Sequence, residues 1–199
     1  LMEQMTRDLA RSSRYREEVD AWSVVNNAFS TSFAGFDASK SLCSTSHVGL
    51  DGTTRANRPS VDIGLSVTAI QGMVTRFRRM TNQRGLPMNM APAMLIIAPE
   101  QLFTAREVLG SSGAPYKTDN EINSVVPEGL RYFSTPYKTS TTSWLALAKK
   151  GEHDLNFMYR DRPMFDSWDD PTTKNAVFSV YQRHTQGYGS YFGVDGSAG

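Results

Sequence analysis

The chain has 199 residues, with 21 lysines and arginines against 20 aspartates and glutamates. So close a balance excludes a strong global pull toward nucleic acid or an anionic membrane surface, and the length suffices for one large domain or two small ones. Cys43 is the single cysteine, which excludes an intrachain disulfide and a cysteine-based metal cluster, and the apolar runs fall far short of the roughly 20 residues of a membrane helix. The composition predicts a soluble protein of a reducing compartment.

The first pattern along the chain is helical. Met2, Met5, Leu9, Val19, Trp22, Val25 and Phe29 fall roughly on one stripe, with Arg7, Arg11, Arg14, Glu17 and Glu18 off it. The stripe predicts a helix of about 28 residues beginning at Leu1, well beyond the usual length of about 11–12. It opens without a Ser, Thr, Asp or Asn cap, which points to sequence missing ahead of Leu1. Residues 30–58 are loop-rich, with one short strand expected within 41–47. Ser66 is a helix N-cap, Leu65 and Ile70 form a hydrophobic staple, and Ile70, Val74 and Phe77 mark the apolar face of a second helix that ends by Gly85 and Pro87.

Met94 to Ile97 is an unbroken apolar run, the pattern of a strand buried on both faces. Pro99 suits the first turn of a helix, Leu102, Ala105 or Arg106, and Leu109 continue it, and Gly110 suits the left-handed position just past its end. Residues 111–128 read as a long polar connection. Beyond it the period changes to two. Leu130, Tyr132 and Ser134 predict a strand stopped by Pro136, Trp144 to Ala148 a strand inside a sheet, and Leu155, Phe157 and Tyr159 a half-buried strand. Residues 166–173 read as a turn. Ala176, Phe178 and Val180 line one face of the last strand, and residues 187–199 form a flexible tail rich in glycine and tyrosine. No internal repeat is present.

Reactive constellations are weak. Cys43 and His47 would make a thiol–imidazole pair, but at i, i+4 in an extended segment they lie about 13 Å apart; they read instead as an incidental buried thiol and a surface or loop histidine. His153 and His184 are too scattered for a metal site. Asp166, Asp169 and Asp170 crowd one turn without the glycine and terminal glutamate of a calcium loop. Gly187, Gly189 and Gly193 resemble a phosphate loop with no helix to follow. Arg76, Arg78, Arg79 and Arg84 gather at the end of the second helix, where cations favour the dipole, and read as a solvated or interface-pairing face. Asn26 and Asn27, poor helix formers, predict hydrogen bonds to a neighbouring segment. The sequence therefore assigns no catalytic, cofactor-binding or metal-ligating residue, and no cofactor.

The order of the pieces carries more. Residues 22–29 (WSVVNNAF) run into 42–47 (LCSTSH). Leu65 and Ser66 then open a helix, followed by 94–99 (MLIIAP) and a polar loop with Asn120 and Asn123. Pro136 and Tyr137, 144–148 (WLALA), 157–163 (FMYRDRP) and the glycine–tyrosine tail complete the series. Together these resemble the major capsid proteins of tailed bacteriophages, in particular the Mu-like head-subunit branch. The resemblance implies an α+β chain of the Hong Kong 97 phage capsid fold. A long spine helix (1–45) and a small antiparallel sheet (151–185) would form the peripheral domain, and residues 46–150 with the tail 186–199 a compact mixed α/β axial domain. The N-terminal arm and extended loop of such proteins are not seen ahead of the helix.

The resemblance also implies a structural, non-enzymatic subunit of a virion, assembling with itself into pentamers and hexamers of an icosahedral shell in the bacterial cytoplasm. Scaffold or maturation protease, portal and decoration proteins would be further partners, packaged DNA a non-specific one, and a membrane none. By the same likeness, the tail and the 111–128 loop should line the capsomer axis, and deleting 112–123 should leave the fold soluble while impairing closure. Other readings of the chain are an encapsulin-like compartment, a small α/β hydrolase, which would lack its nucleophile because Ala98-Pro99-Glu100 occupies the turn, and a nucleic-acid-binding module using Arg76 to Arg84.

Overall fold

The computed structural model describes residues 2–33, 39–113 and 122–199. Leu1 and Asn120 lie outside the described residues, as does the rest of 114–121 in the polar loop. Three helices and eight strands follow in the order α1 (Met2–Asn26), β1 (His47–Val48), β2 (Thr54–Arg55), α2 (Val67–Arg78), β3 (Pro92–Ile97), α3 (Leu102–Gly110), β4 (Arg131–Ser134), β5 (Trp144–Ala148), β6 (Leu155–Asp169), β7 (Ala176–Tyr188) and β8 (Val194–Ser197). The chain is thus mixed α+β with small sheets.

A four-stranded sheet, in the order β4-β3-β5-β8, carries the core. Strand β3 runs parallel to β4 and antiparallel to β5, which pairs antiparallel with β8. Period-two alternation divides its side chains between two packed faces. Leu95, Ile97, Trp144, Ala146 and Ala148 meet Ile70, Met73 and Phe77 of α2 and Ala105 and Val108 of α3. Ile96, Leu145, Leu147 and Val194 meet Val24, Val25 and Ala28 near the end of α1, together with Leu42 and Cys43. Every residue of β5 is buried because β5 has strands on both edges and helices over both faces. Double burial of β3 holds only from Leu95 onward; Met94, in the first half of the strand, is 40% exposed and lies outside the α1-side cluster.

The second sheet is a long two-stranded ribbon of β6 and β7. It extends further than its pattern in the sequence. Asp166 to Asp169 belong to β6, and the turn is confined to residues 170–175, where Lys174 N donates to Asp170 O at 2.8 Å and Asp170 N to Asn175 O at 2.9 Å. Two register shifts, between Tyr159 and Asp161 and between Asp161 and Met164, interrupt the ladder. Pro163, which has no N–H to donate, sits within the second of them.

Helix α1 lies along this ribbon through a polar seam. Ser13 Oγ donates to Gln182 Oε1 at 2.9 Å, His184 Nε2 lies 3.0 Å from Asp20 Oδ2, and Gln186 Nε2 donates to Ser23 Oγ at 3.4 Å. Gln182, His184 and Gln186 are two apart, so a single face of β7 presents all three to the helix. The apolar stripe is correspondingly incomplete: Met5 is exposed, and full burial begins only at Val24 and Val25.

Several local expectations are corrected. Residues 41–46 contain no strand; the short pairing is His47–Val48 with Thr54–Arg55. Ser66 does cap α2, accepting from Ala69 N at 3.2 Å, but the helix closes at Arg78, and Arg84 lies in a separate turn in which Gly85 adopts φ 84°. Pro99 opens a 3₁₀ turn, Pro99–Gln101, that continues into α3. Gly110 is the last helical residue rather than a left-handed terminator, because Ser111 leaves directly in extended conformation. Leu130 is buried ahead of β4, while Tyr132 and Phe133 within it are exposed. Ala176 and Phe178 face solvent, and β7 is not the last strand, since the tail returns as β8.

Candidate assembly interface

The tail is anchored by a buried polar junction. Asn57 is fully buried; its Oδ1 accepts from Ser44 N at 2.9 Å, and its Nδ2 donates to Leu42 O at 2.8 Å and Val194 O at 3.0 Å. His47 Nε2 lies 3.0 Å from the same Oδ1. An amide oxygen only accepts, so Nε2 carries the proton in this contact. The His47 ring is buried and stacked on Tyr191 with centroids 3.9 Å apart, so it is not the surface or loop histidine of the sequence reading.

Arg76 reaches from α2 to β8 as a two-pronged partner of Asp195, Nε to Oδ2 and Nη2 to Oδ1 both at 2.7 Å. Burial raises the Asp195 carboxyl to a pKa of about 6, against the opposing pull of Arg76. Arg58 pairs with Asp62, holding its carboxyl below the usual range, and Asp62 also accepts from Ala198 N at 3.1 Å. Glycine is required here by contact: a Cβ on Gly196 would lie 2.7 Å from Leu145 Cδ1 and 2.8 Å from Trp144 O, and one on Gly193 would lie 2.6 Å from Glu152 O. Gly193 is therefore a packing residue, not part of a flexible tail or phosphate loop.

The junction offers no nucleophile. Burial, followed by the nearby Asp195 charge, holds the Cys43 thiol well above its ordinary range, the reverse of what a reactive thiolate needs. His184 is committed to Asp20 in the α1 seam. Asp170 Oδ1 accepts from Thr172 N at 2.9 Å and Oδ2 from Thr173 Oγ1 at 2.7 Å, so that carboxylate organises its own turn. Among the described residues no three His, Cys, Asp or Glu side chains gather as metal ligands. The arginines at the end of α2 diverge: Arg76 turns inward to Asp195, while Arg78 pairs with Glu128 at 3.1 Å. Asn26 meets the expectation of a distant partner, donating to Tyr137 O at 2.8 Å and accepting from Thr139 N at 3.1 Å. Asn27, just past the end of α1, donates its side-chain amide back to Ser23 O at 2.8 Å.

Asn123 is buried, donating to Val108 O at 2.7 Å and Ser111 O at 3.0 Å. It satisfies carbonyls at and just after the end of α3 that would otherwise lack partners, so Asn123 belongs to the packing of the fold.

What remains open is much of the surface of the ribbon. Met158, Tyr159, Met164, Phe165, Trp168, Phe178 and Tyr181 are each at least 40% exposed along β6 and β7. Apolar and aromatic groups concentrated on one projecting element mark an interaction surface, and a two-stranded ribbon leaves backbone edges able to pair further. The sequence reading missed this surface because it ended both strands early.

Compared with known protein families, residues 1–194 match the phage capsid protein family. The chain belongs to that family. No curated protein matches the sequence. A phage capsid protein is a structural component of the virion, which accords with a chain whose internal polar groups serve packing and whose apolar surplus lies outside. Among the described residues no helix is long and apolar enough to cross a membrane.

Proposed function

We propose that this capsid protein is the self-assembling shell subunit of an icosahedral phage head, of the Hong Kong 97 fold and the Mu-like branch. Residues 1–45 and 151–185 form its peripheral part, and residues 46–150 with 186–199 its axial part. Pentamers and hexamers close the shell around DNA, which contacts it without sequence preference, and assembly takes place in the bacterial cytoplasm with scaffold or maturation protease, portal and decoration proteins.

The observation that carries this reading is the β6–β7 ribbon, 15 and 13 residues long, with its large side chains exposed. A monomer gains nothing from such a surface, whereas a symmetric shell repeats a modest contact many times. The division into two parts is supported by the packing of the ribbon along α1 and by the return of β8 to the sheet. Negative-stain microscopy of the purified full-length protein tests it: uniform closed shells are expected, and persistent monomers overturn the reading.

A further inference from the structure

Between α1 and the ribbon lies a groove of about 740 Å³, whose lining includes Arg11, Arg14, Glu17, Tyr159, Arg162 and Phe165. Three cations face one anion there. Arg14 and Arg162 form no ion pair among the described residues, and Arg11 makes only an exposed contact with Asp8 at 3.5 Å. The Glu17 carboxylate faces the Tyr159 hydroxyl, yet one of its oxygens, Oε1, is buried and has no hydrogen-bond partner among the described residues. A buried acceptor without a donor is costly, so this groove has a hydrogen bond to offer as well as an apolar floor.

The tip of the ribbon has the opposite character. Asp166, Asp169 and Asp170 stand there against Lys174, three anions to one cation, with the indole of Trp168 48% exposed among them. The Trp168 N–H has no acceptor among the described residues. An indole supplies both what the floor and what Glu17 Oε1 require: apolar area and a single donor.

We infer that the ribbon tip of one copy docks in the α1–ribbon groove of a second copy, with Trp168 inserted, its N–H donated to Glu17, and Asp166 and Asp169 set against Arg14 and Arg162. This inference rests on the capsid reading above and names the partner of its exposed ribbon. The charge ratio, three to one in each direction, selects a second copy of the chain. Buried tryptophan anchors within a rim of complementary charge are the usual centre of such contacts.

The test uses the full chain, with particle yield read by microscopy and sedimentation and monomer folding by circular dichroism. Trp168→Ala, the pair Arg14→Asp with Arg162→Asp, and the pair Asp166→Arg with Asp169→Arg should each lower yield about tenfold or more while remaining folded. A chain carrying all four charge reversals should regain assembly. Undiminished yield from Trp168→Ala, in a wild type that forms shells, overturns the docking and leaves the capsid reading intact. A wild type that forms no particles removes the proposed self-assembling shell. Docking is then judged by self-association in the ultracentrifuge, where equal dissociation constants for wild type and Trp168→Ala overturn it and a tenfold weakening supports it.

Discussion

The two sheets of this protein spend their apolar residues in opposite ways. In the four-stranded sheet both faces are covered at β5 and along β3 from Leu95, so Leu95, Ile97 and Leu145 are fully buried, and the edge strand β8 has four buried residues, whereas the other edge, β4, is largely exposed. In the β6–β7 ribbon α1 is met through side-chain hydrogen bonds between Ser13 and Gln182, Asp20 and His184, and Ser23 and Gln186, while Met158, Met164, Trp168, Phe178 and Tyr181 each stay at least 40% exposed. A region that buries its own apolar surface is stabilised by the fold. A region that leaves it outside is open to a further contact, and under the shell assembly proposed above that contact is another copy.

The sheet should therefore fail on its own account. Ile96 is 3% exposed between β4 and β5, and Ile96→Asp places an unpaired carboxylate in the α1-side core. Its expected cost, roughly 4–5 kcal/mol or more, approaches the whole stability of a domain of this size. Thermal melting followed by circular dichroism should show no cooperative transition. A normal melt would mean that this face of the sheet is not a core.

The Arg76–Asp195 pair comes next. Arg76→Ala leaves a fully buried carboxylate without its cation, at a cost of about 3–5 kcal/mol near neutral pH in urea unfolding. The pH dependence has a definite sign. The Asp195 pKa is about 6 in the folded chain against a reference of 3.8, so the folded state holds its proton more tightly. Its stabilising contribution is complete below about pH 4 and is lost as pH rises through about 6, on the order of 3 kcal/mol in all. Asp195→Asn should remove that slope. Parallel stability profiles for wild type and Asp195→Asn from pH 4 to pH 7 would show that the carboxyl is not buried as described.

Asn57→Ala should cost somewhat less, about 2–3 kcal/mol, because it strands the Ser44 N–H, the His47 N–H and two carbonyls at once, each able to recover part of its loss by small movements. The melting temperature and amide exchange in β8 both report it. Lost protection should concentrate at Val194 to Ser197, and a uniform loss across the sheet would count against Asn57 as the anchor of the tail.

The difference between the two regions also governs what could be read from the amino-acid sequence. Burial on both faces leaves contiguous apolar runs, so Trp144 to Ala148 and Leu95 to Ile97 were legible, as was the Ser66 cap with its Leu65 and Ile70 staple. The resemblance that rested on their order led to the right family. Strand β8 was hidden: Val-Asp-Gly-Ser has one apolar residue, and its burial depends on Arg76, Asn57 and Asp62, 119, 137 and 135 residues away from their partners. The ribbon was half hidden because an exposed two-sided strand has no hydrophobic period to follow. Two register shifts move Met164, Phe165 and Trp168 out of any fixed alternation with Leu155 and Phe157. The seam on α1 was invisible for a simpler reason: Ser13, Asp20 and Ser23 look like ordinary solvent-facing residues until β7 is laid against them.

The smallest expected effect on stability is the sharpest test of the contrast. Phe178 and Tyr181 are 40% and 48% exposed on β7 and lie outside the α1 seam. Replacing both by serine removes apolar surface that the monomer leaves in water, so monomer stability should change by no more than about 0.5 kcal/mol in urea unfolding. On the proposed shell assembly, particle yield should nonetheless fall, because a neighbouring copy would cover the exposed part of those rings. The two readouts must separate for the contrast to stand. If the double substitution lowers monomer stability by about 2 kcal/mol or more, the scale of a buried side chain, the ribbon is stabilised by its outer face as well as by its seam. Its exposed rings would then belong to the same economy as Leu145 and Ile97.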